Sequence, residues 1–437
     1  MKNVFSQIVV FLLTAAVLSA ADFEIRVESS SKTGLVRAGE KVQVKAAAFL
    51  DGAPIPPGFK MGVTHWKDGE PMRQETVPAE QGYTATLSLE KPGWSYVTFL
   101  LRDPKNRNAR IVLKNKWARP RGSGIILEPE KITSVRPEPV DFDAFWASCK
   151  AELEKTPLSV LEKDPVPISA SLDKRFACYD MKLACAGPKP VSGYLCVPKD
   201  KTKKYPVVLC VDGAGVRSSY KSAYPDAVTF SINAHGILNG QPAGYYTDLQ
   251  KTVLNGYPRS GADSRETIYF KYMFLRVLRA LEYLRSLPEW NGRDVIVRGG
   301  SQGGAQTLFA AAMDKSVTLA VASVPAMCDF SACLAVPRRY SGWPCPYGPG
   351  EKEAVKRAAW DYYDCVNFAR RITCPVYVST GLIDTTCSPS SVSCMFNRLA
   401  SKEKHIEFHR DMGHVGKNDA GQAAFSEVLR KAAKKDK

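Results

Sequence analysis

A serine hydroxyl becomes a nucleophile only when the chain presents it and a base stands ready to take its proton. Residues 295–308, Val-Ile-Val-Arg-Gly-Gly-Ser-Gln-Gly-Gly-Ala-Gln-Thr-Leu, carry the first half of that arrangement. Val295, Ile296 and Val297 predict a buried strand, and the Ala/Leu-rich run from about Ala305 predicts a helix. Between them Gly299, Gly300, Gly303 and Gly304 surround Ser301. This is the G-x-S-x-G pattern of a nucleophile elbow, in which a sharp strand-to-helix turn strains the serine backbone. Gly299 and Gly303 remove side chains that would collide in the turn. The N–H of Gln302, near the helix start, is expected to face a developing oxyanion. A phosphate loop would place Lys-Ser/Thr after its last glycine, but Ala305-Gln306 stand there.

The base must come from five histidines. After an elbow of this kind the partners follow in chain order, acid then histidine, which removes His65 and His235. His405 and His409 alternate in the strand-like Lys404–His409 and point to its polar side. His414 follows in the loop Asp411-Met-Gly-His-Val-Gly416 and is the expected base, with His409 second. For the acid, Asp384 lies just past the apolar run Pro375–Ser379, ready to orient an imidazole. The alternatives are Asp361 and Asp364 upstream and Asp411 close to His414. A plain turn or N-cap role for Asp384 is the other reading. The second oxyanion donor is expected after the strand Val207–Val211, in Asp212-Gly-Ala-Gly215, with Ala214 first and Gly215 next.

These residues need a scaffold. From Phe176 onward, strand candidates (177–183, 193–197, 207–211, 228–233, 295–297, 319–323, 376–379 and 405–408) alternate with helical patterns, the longest from about Arg265 to Leu287. That predicts an α/β fold, a mostly parallel sheet covered by helices, with sites at the C-terminal strand ends. From Asp22 to about residue 118 the period is two, as in Phe23-Glu-Ile25-Arg-Val27 and Tyr83-Thr-Ala85-Thr-Leu87. Turns such as Asp51-Gly52, Lys67-Asp68-Gly69 and Pro92-Gly93 interrupt it, which predicts a small immunoglobulin-like β-sandwich. Trp66, Trp94 and Trp117 read as core aromatics of that sandwich, with a sugar-stacking surface as the alternative. Residues 119–140, with four prolines, read as a linker. Residues 141–437 read as the catalytic domain, opening on a helix with Asp141 as N-cap and Phe142, Phe145 and Trp146 on one face.

Composition narrows the class. Residues 1–21 have a Lys2 charge, an apolar run from Ile8 and a small-residue end at Ser19-Ala20-Ala21, the pattern of an export signal cleaved near Ala20/Ala21. No other apolar run is long enough to span a bilayer. The net charge of +16 is spread along the chain, so it predicts a solvated basic surface and not a nucleic-acid partner. The twelve cysteines have no metal-ligand spacing, so no metal site is expected. Cys196, Cys210 and Cys374, in apolar runs, read as small buried thiols, with Cys328–Cys333 and Cys387–Cys394 as the candidate disulfides.

From about Asp141 to Gly416 the chain resembles carbohydrate esterase family 7, the acetyl xylan esterases and cephalosporin C deacetylases, which are α/β-hydrolases. The matching pieces are Phe142-Asp-Ala-Phe-Trp146, Gly193-Tyr-Leu-Cys-Val-Pro198 and Gly299-Gly-Ser-Gln-Gly-Gly304. Gly381-Leu-Ile-Asp384 with Ser388-Pro389, and Gly413-His414, also match. The resemblance implies a serine esterase without a cofactor, with Ser301, His414 and Asp384 removing acetyl groups from sugar hydroxyls of an acetylated oligo- or polysaccharide. Gln302 and Ala214 match its oxyanion donors. This chain lacks the family's Arg-Gly-Gln triplet after Ser231–Gly236 and has Val415 where a Glu usually follows the histidine. Those motifs support active-site loops and subunit packing, so the family's ring-like hexamer does not transfer and the oligomeric state stays open. The insertion Pro337–Gly350 reads either as a lid whose Trp343 and Tyr347 stack on sugar or as a rigid Pro-rich loop. A lipase or peptidase of the same fold, or an inactive glycan-binding protein, are the rival functions.

Overall fold

The computed structural model describes residues 22–104, 109–111, 113, 121–348 and 350–435. The predicted export signal and Trp117 lie outside them. A nine-stranded sheet dominates, in the spatial order Val160–Pro165, Phe176–Leu183, Val191–Pro198, Val228–Ile232, Tyr205–Val211, Trp290–Gly300, Leu319–Ser323, Val376–Gly381, Lys404–His409. From Val228–Ile232 onward every neighbouring pair is parallel, and the pairs before it are antiparallel.

The central strands are apolar on both faces because helices cover both. Val207, Leu209, Val295 and Val297 pack in the main core with the helices Phe270–Ser286 and Gln302–Met313. The alternate residues Val208, Ile296 and Val321 meet Phe425 of the helix Asp419–Lys435 on the opposite face. Such strands read as continuous apolar runs, as parallel strands do. The helix Phe142–Glu154 buries Phe142, Phe145 and Trp146 as expected. Asp141 stands at its N-terminus but does not cap it, because its carboxylate accepts from Arg265 Nη1 at 2.7 Å and from the Tyr362 hydroxyl.

Before this body stands a β-sandwich. One sheet contains Phe23–Ser29, Val42–Leu50, Ala53–Pro54 and Tyr83–Leu87. The other contains Leu35–Val36, Lys60–Lys67, Glu70–Pro78, Gly93–Asp103 and Arg121–Leu127, with Ala109–Arg110 at its side. Val44, Ala46 and Leu87 meet Val63, Val97, Phe99 and Ile125 between the sheets.

The segment expected to be linker needs correction. Arg121–Leu127 is a strand paired antiparallel with Gly93–Phe99. Its Ile125 and Leu127 face the sandwich core, while Ile126 faces the main core together with Trp94 and Tyr96. A strand buried on both faces has no alternation to betray it. Trp94 is therefore a core residue, at the seam between the two bodies. The half-buried Trp66 stacks on Tyr96 beside it, with ring centroids 5.5 Å apart. Cys196, expected as a free thiol, forms a disulfide with Cys178, directly opposite on the neighbouring antiparallel strand. The four cysteines considered as pairs, Cys328, Cys333, Cys387 and Cys394, are free and buried.

The turn before Glu70 carries a titrating group into this seam. Asp68 is buried, and its carboxylate accepts the Trp94 N–H at 3.2 Å. Burial raises its pKa to about 6, against the opposing pull of that N–H and of Arg339. The folded state then holds the proton between the ordinary carboxylate range and about pH 6, so stability contributed at this position falls as pH rises through that window. Asp68→Asn removes the titration. Its urea stability relative to the parent should improve by about 1–3 kcal/mol between pH 4 and pH 7, whereas a pH-independent difference would exclude this burial effect.

Candidate active site

The strand Trp290–Gly300 ends at Ser301, and the helix Gln302–Met313 begins at the next residue. Ser301 has φ 59 and ψ −125. A left-handed φ is costly for a residue with a Cβ, and it persists where neighbours over-determine it. Ser301 N–H donates to the Ser323 carbonyl at 2.9 Å, and Ser301 C=O accepts from Ala326 N–H at 3.0 Å and Ala305 N–H at 3.1 Å. The helix is anchored below by Phe309, stacked on Phe274 at 4.4 Å and against Trp146 at 5.0 Å. The glycines do what the sequence implied. A Cβ on Gly299 would stand 2.6 Å from the Val211 carbonyl oxygen, and one on Gly303 only 2.3 Å from the same atom. Gly304 is pressed against Pro325, while Gly300 has no neighbour nearer than 3.6 Å.

His414 reaches this serine from the loop after Lys404–His409. Its Nε2 lies 2.9 Å from Ser301 Oγ, and its Nδ1 lies 2.8 Å from Asp384 Oδ2. Asp384 follows the strand Val376–Gly381 and is fully buried. Its other oxygen accepts the N–H groups of Thr386 at 2.7 Å and Cys387 at 2.9 Å, which fixes the carboxylate plane. A carboxylate accepts only, so Nδ1 carries the proton and Nε2 is left to accept from the serine. The acid and histidine turns are also tied to each other, Ile383 N–H to the Met412 carbonyl at 3.0 Å and Leu382 N–H to that of His409 at 2.9 Å.

The rejected candidates are accounted for elsewhere. His409 lies 3.5 Å from Glu407, and His405 stacks on Tyr377. Asp361 pairs with Arg136, Asp364 caps the helix Cys365–Ala369, and Asp411 is exposed.

The loop Asp212–Gly215 passes over the elbow: a Cβ on Gly213 would lie 3.6 Å from Ser301 Cβ. Three residues outside the sequence expectation orient it. Arg217 donates to the carbonyls of Ala214 at 2.8 Å and Gly213 at 3.3 Å. The Tyr257 hydroxyl donates to Gln302 Oε1 at 2.8 Å and accepts from Gly215 N–H at 3.4 Å. His235 Nε2 meets the Gly215 carbonyl at 3.2 Å while its Nδ1 accepts from the Tyr269 hydroxyl at 2.8 Å. Burial lowers the His235 pKa to about 4, so this ring is neutral with its one proton on Nε2. With loop carbonyls committed to these donors, the Ala214 peptide is held beside the elbow. Gln302, as the first helical residue, has no carbonyl in its own helix to receive its N–H.

A cleft of about 620 Å³ opens beside this loop, lined by Ala214, Gln250, Lys251, Asn255, Tyr257 and Trp343. Trp343 is half-buried at its wall and packs edge-on to Phe270. Tyr347 is not available for stacking. It is 8% exposed and packs edge-on to Phe330, so the second aromatic of the expected platform belongs to the core.

A mostly parallel sheet with a serine at a strand-to-helix elbow defines an α/β-hydrolase. Residues 127–430 match the family model for acetyl xylan esterase (AXE1). The chain is 31% identical over 389 residues to the acetyl esterase Axe7A of Xylanibacter ruminicola, covering 85% of this chain and 82% of that protein. Among solved structures, it superposes on an acetyl xylan esterase from Paenibacillus sp. R4 with TM-score 0.57 and 24% identity, covering 70% of this chain and 98% of that one. Acetyl xylan esterase 1 from Thermoanaerobacterium sp. JW/SL YS485 gives 0.56 and 22%, covering 69% and 97%. The chain belongs to the acetyl xylan esterase family and is a carboxylic ester hydrolase.

The elbow geometry makes a graded prediction. Gly303→Ala must push Cβ into the Val211 carbonyl and should lower stability by about 1–3 kcal/mol or more, with loss of esterase activity. Gly300→Ala has room and should keep the parent melting temperature. Equal thermal shifts for the two variants would contradict the packing described.

Proposed function

We propose that this protein removes acetyl groups from carbohydrate hydroxyls with Ser301 as nucleophile, His414 as general base and Asp384 as its orienting acid. The observation that carries the reading is the unbroken contact chain from Ser301 Oγ through His414 to the buried Asp384, 2.9 Å and 2.8 Å. Ser301 Oγ attacks the acetyl carbonyl carbon as its proton passes to His414 Nε2. The carbonyl oxygen becomes an oxyanion, stabilised by the N–H groups of Gln302 and Ala214. Collapse breaks the bond to the sugar oxygen, which takes the proton from His414 and leaves as an alcohol. Water, deprotonated by His414, then attacks the acetyl-serine, releasing acetate and restoring Ser301. Asp384 stabilises the imidazolium in both halves and does not itself take the proton.

The carbohydrate assignment is supported by family membership and by the names of its relatives, an acetyl esterase and two acetyl xylan esterases. Trp343 at the cleft wall offers a sugar ring an apolar face, with Gln250 and Asn255 as polar partners. We place the protein outside the cytoplasm, on the signal-like residues 1–21 and on the Cys178–Cys196 disulfide, a bond that persists in oxidising compartments.

The test is hydrolysis of 4-nitrophenyl acetate, 4-nitrophenyl butyrate and acetylated xylan. Acetate should be released much faster than butyrate, and Ser301→Ala should lose turnover while keeping the parent fold. Asp384→Asn should retain the architecture with kcat down by about 10³–10⁴. Parent-like rates in Ser301→Ala would overturn the assignment, and no release by the parent would favour a glycan-binding protein.

A further inference from the structure

We propose that the β-sandwich is part of the catalytic apparatus: its outer face, centred on Trp94, positions the turn that holds Asp384. This deepens the function proposed above and rests on it. The residues involved come from two adjacent strands. Register places Trp94 opposite Ile126 and Tyr96 opposite Gly124, so all four lie on the face turned away from the sandwich core.

That face closes on Leu382, two residues before Asp384. Trp94 Nε1 donates to the Leu382 carbonyl at 2.6 Å, and the ring is fully buried. Gly124 lies so close that a Cβ there would be 2.1 Å from the same carbonyl oxygen and 2.7 Å from Leu382 Cβ. Gly34 abuts the Leu382 side chain in the same way, at 2.4 Å. Behind Trp94 stand Tyr96, stacked at 4.5 Å, and Trp66 stacked on Tyr96. The turn is therefore backed by a stack of three aromatic rings.

The same face holds the histidine side. Gly124 N–H donates to the Arg410 carbonyl at 2.7 Å, and Arg410 Nη1 donates to the Ser31 carbonyl at 2.5 Å. Arg410 begins the segment that ends in His414. The sandwich thus grips the acid turn and the histidine loop together. Other contacts across the seam fall on Arg338 and Tyr340, but the hydrogen bonds of Trp94, Gly124 and Arg410 fall on the two segments that carry the acid and the base. The family match begins at residue 127, so Gly34, Trp94 and Gly124 all lie before it.

Trp94 is accordingly a positioning residue acting through Leu382 on Asp384. The experiment compares parent, Ser301→Ala, Trp94→Phe, Arg410→Met and Glu70→Gln on 4-nitrophenyl acetate. Rates are expressed per active site by burst titration, so that unfolded protein does not count. Glu70 pairs with Arg338 at the seam, 3.4 Å away, without touching the acid turn. Trp94→Phe keeps a ring and removes only the donor and part of the bulk. Its kcat should fall about tenfold with KM within twofold of the parent, since a small displacement of an aligned group is felt mainly in the transition state. Arg410→Met should lower kcat in the same sense, and Glu70→Gln should leave it unchanged. A parent-like kcat per active site in Trp94→Phe overturns the proposal, as does an equal loss in Glu70→Gln. If Trp94→Phe does not fold, Arg410→Met decides by the same criterion. Failure of the underlying function is separately visible, as turnover surviving in Ser301→Ala.

Discussion

A strand and a helix meet at Ser301 with no intervening loop, and the chain can make that junction only with a left-handed backbone at the serine. Such a conformation costs of the order of 1–3 kcal/mol. It also brings the helix within glycine-only distance of the neighbouring strand end, at Val211. Most of the active-site architecture follows from accommodating that junction. The N–H of Ser301 is taken by Ser323 at the end of the neighbouring strand, and its carbonyl by Ala326 in the segment that follows and by Ala305 of the helix. That segment is itself strained, with positive φ at Val324, Met327 and Asp329. Strain gathers around the Ser301 hydroxyl, and the buried sheet beside it supplies the opposing stability.

The second requirement is a fixed electrostatic surround. Asp384 is buried but holds two backbone N–H donors besides the histidine, so its desolvation is compensated. The loop opposite is oriented by a guanidinium, a tyrosine hydroxyl and an imidazole kept neutral by burial. A neutral His235 donates one hydrogen bond to the Gly215 carbonyl without adding positive charge beside the loop. Such preorganised dipoles need not rearrange as charge develops, which is where their value to an acyl transfer lies.

The sequence was most legible where local pattern and chemistry coincide. The elbow shows itself in four glycines and a serine between a β-branched run and an Ala-rich run. His414 and Asp384 are found by chain order after strand ends, because the fold puts their loops on one edge of the sheet. What stayed hidden depends on partners distant in sequence. Arg121–Leu127 looks like linker because both its faces are buried and its glycines permit close approach to the main body. Val160–Pro165 is exposed at every position, so it lacks any alternation at all. Tyr347 looked like a surface ring, and only the fold reveals that Phe330 claims it. Arg217 and Tyr257 leave no motif because they only support a loop, and chain order excludes His235 as the base without revealing that its ring holds the Gly215 carbonyl.

The proposed mechanism requires a covalent bond between Ser301 Oγ and the acyl group. Mass spectrometry of protein acid-quenched during turnover of 4-nitrophenyl acetate measures this directly. One acetyl group on the peptide that contains Ser301, absent when His414 is replaced by alanine, is the result predicted. Steady turnover with the acetyl group on another residue, or with no covalent species under conditions where deacetylation is slow, would contradict it.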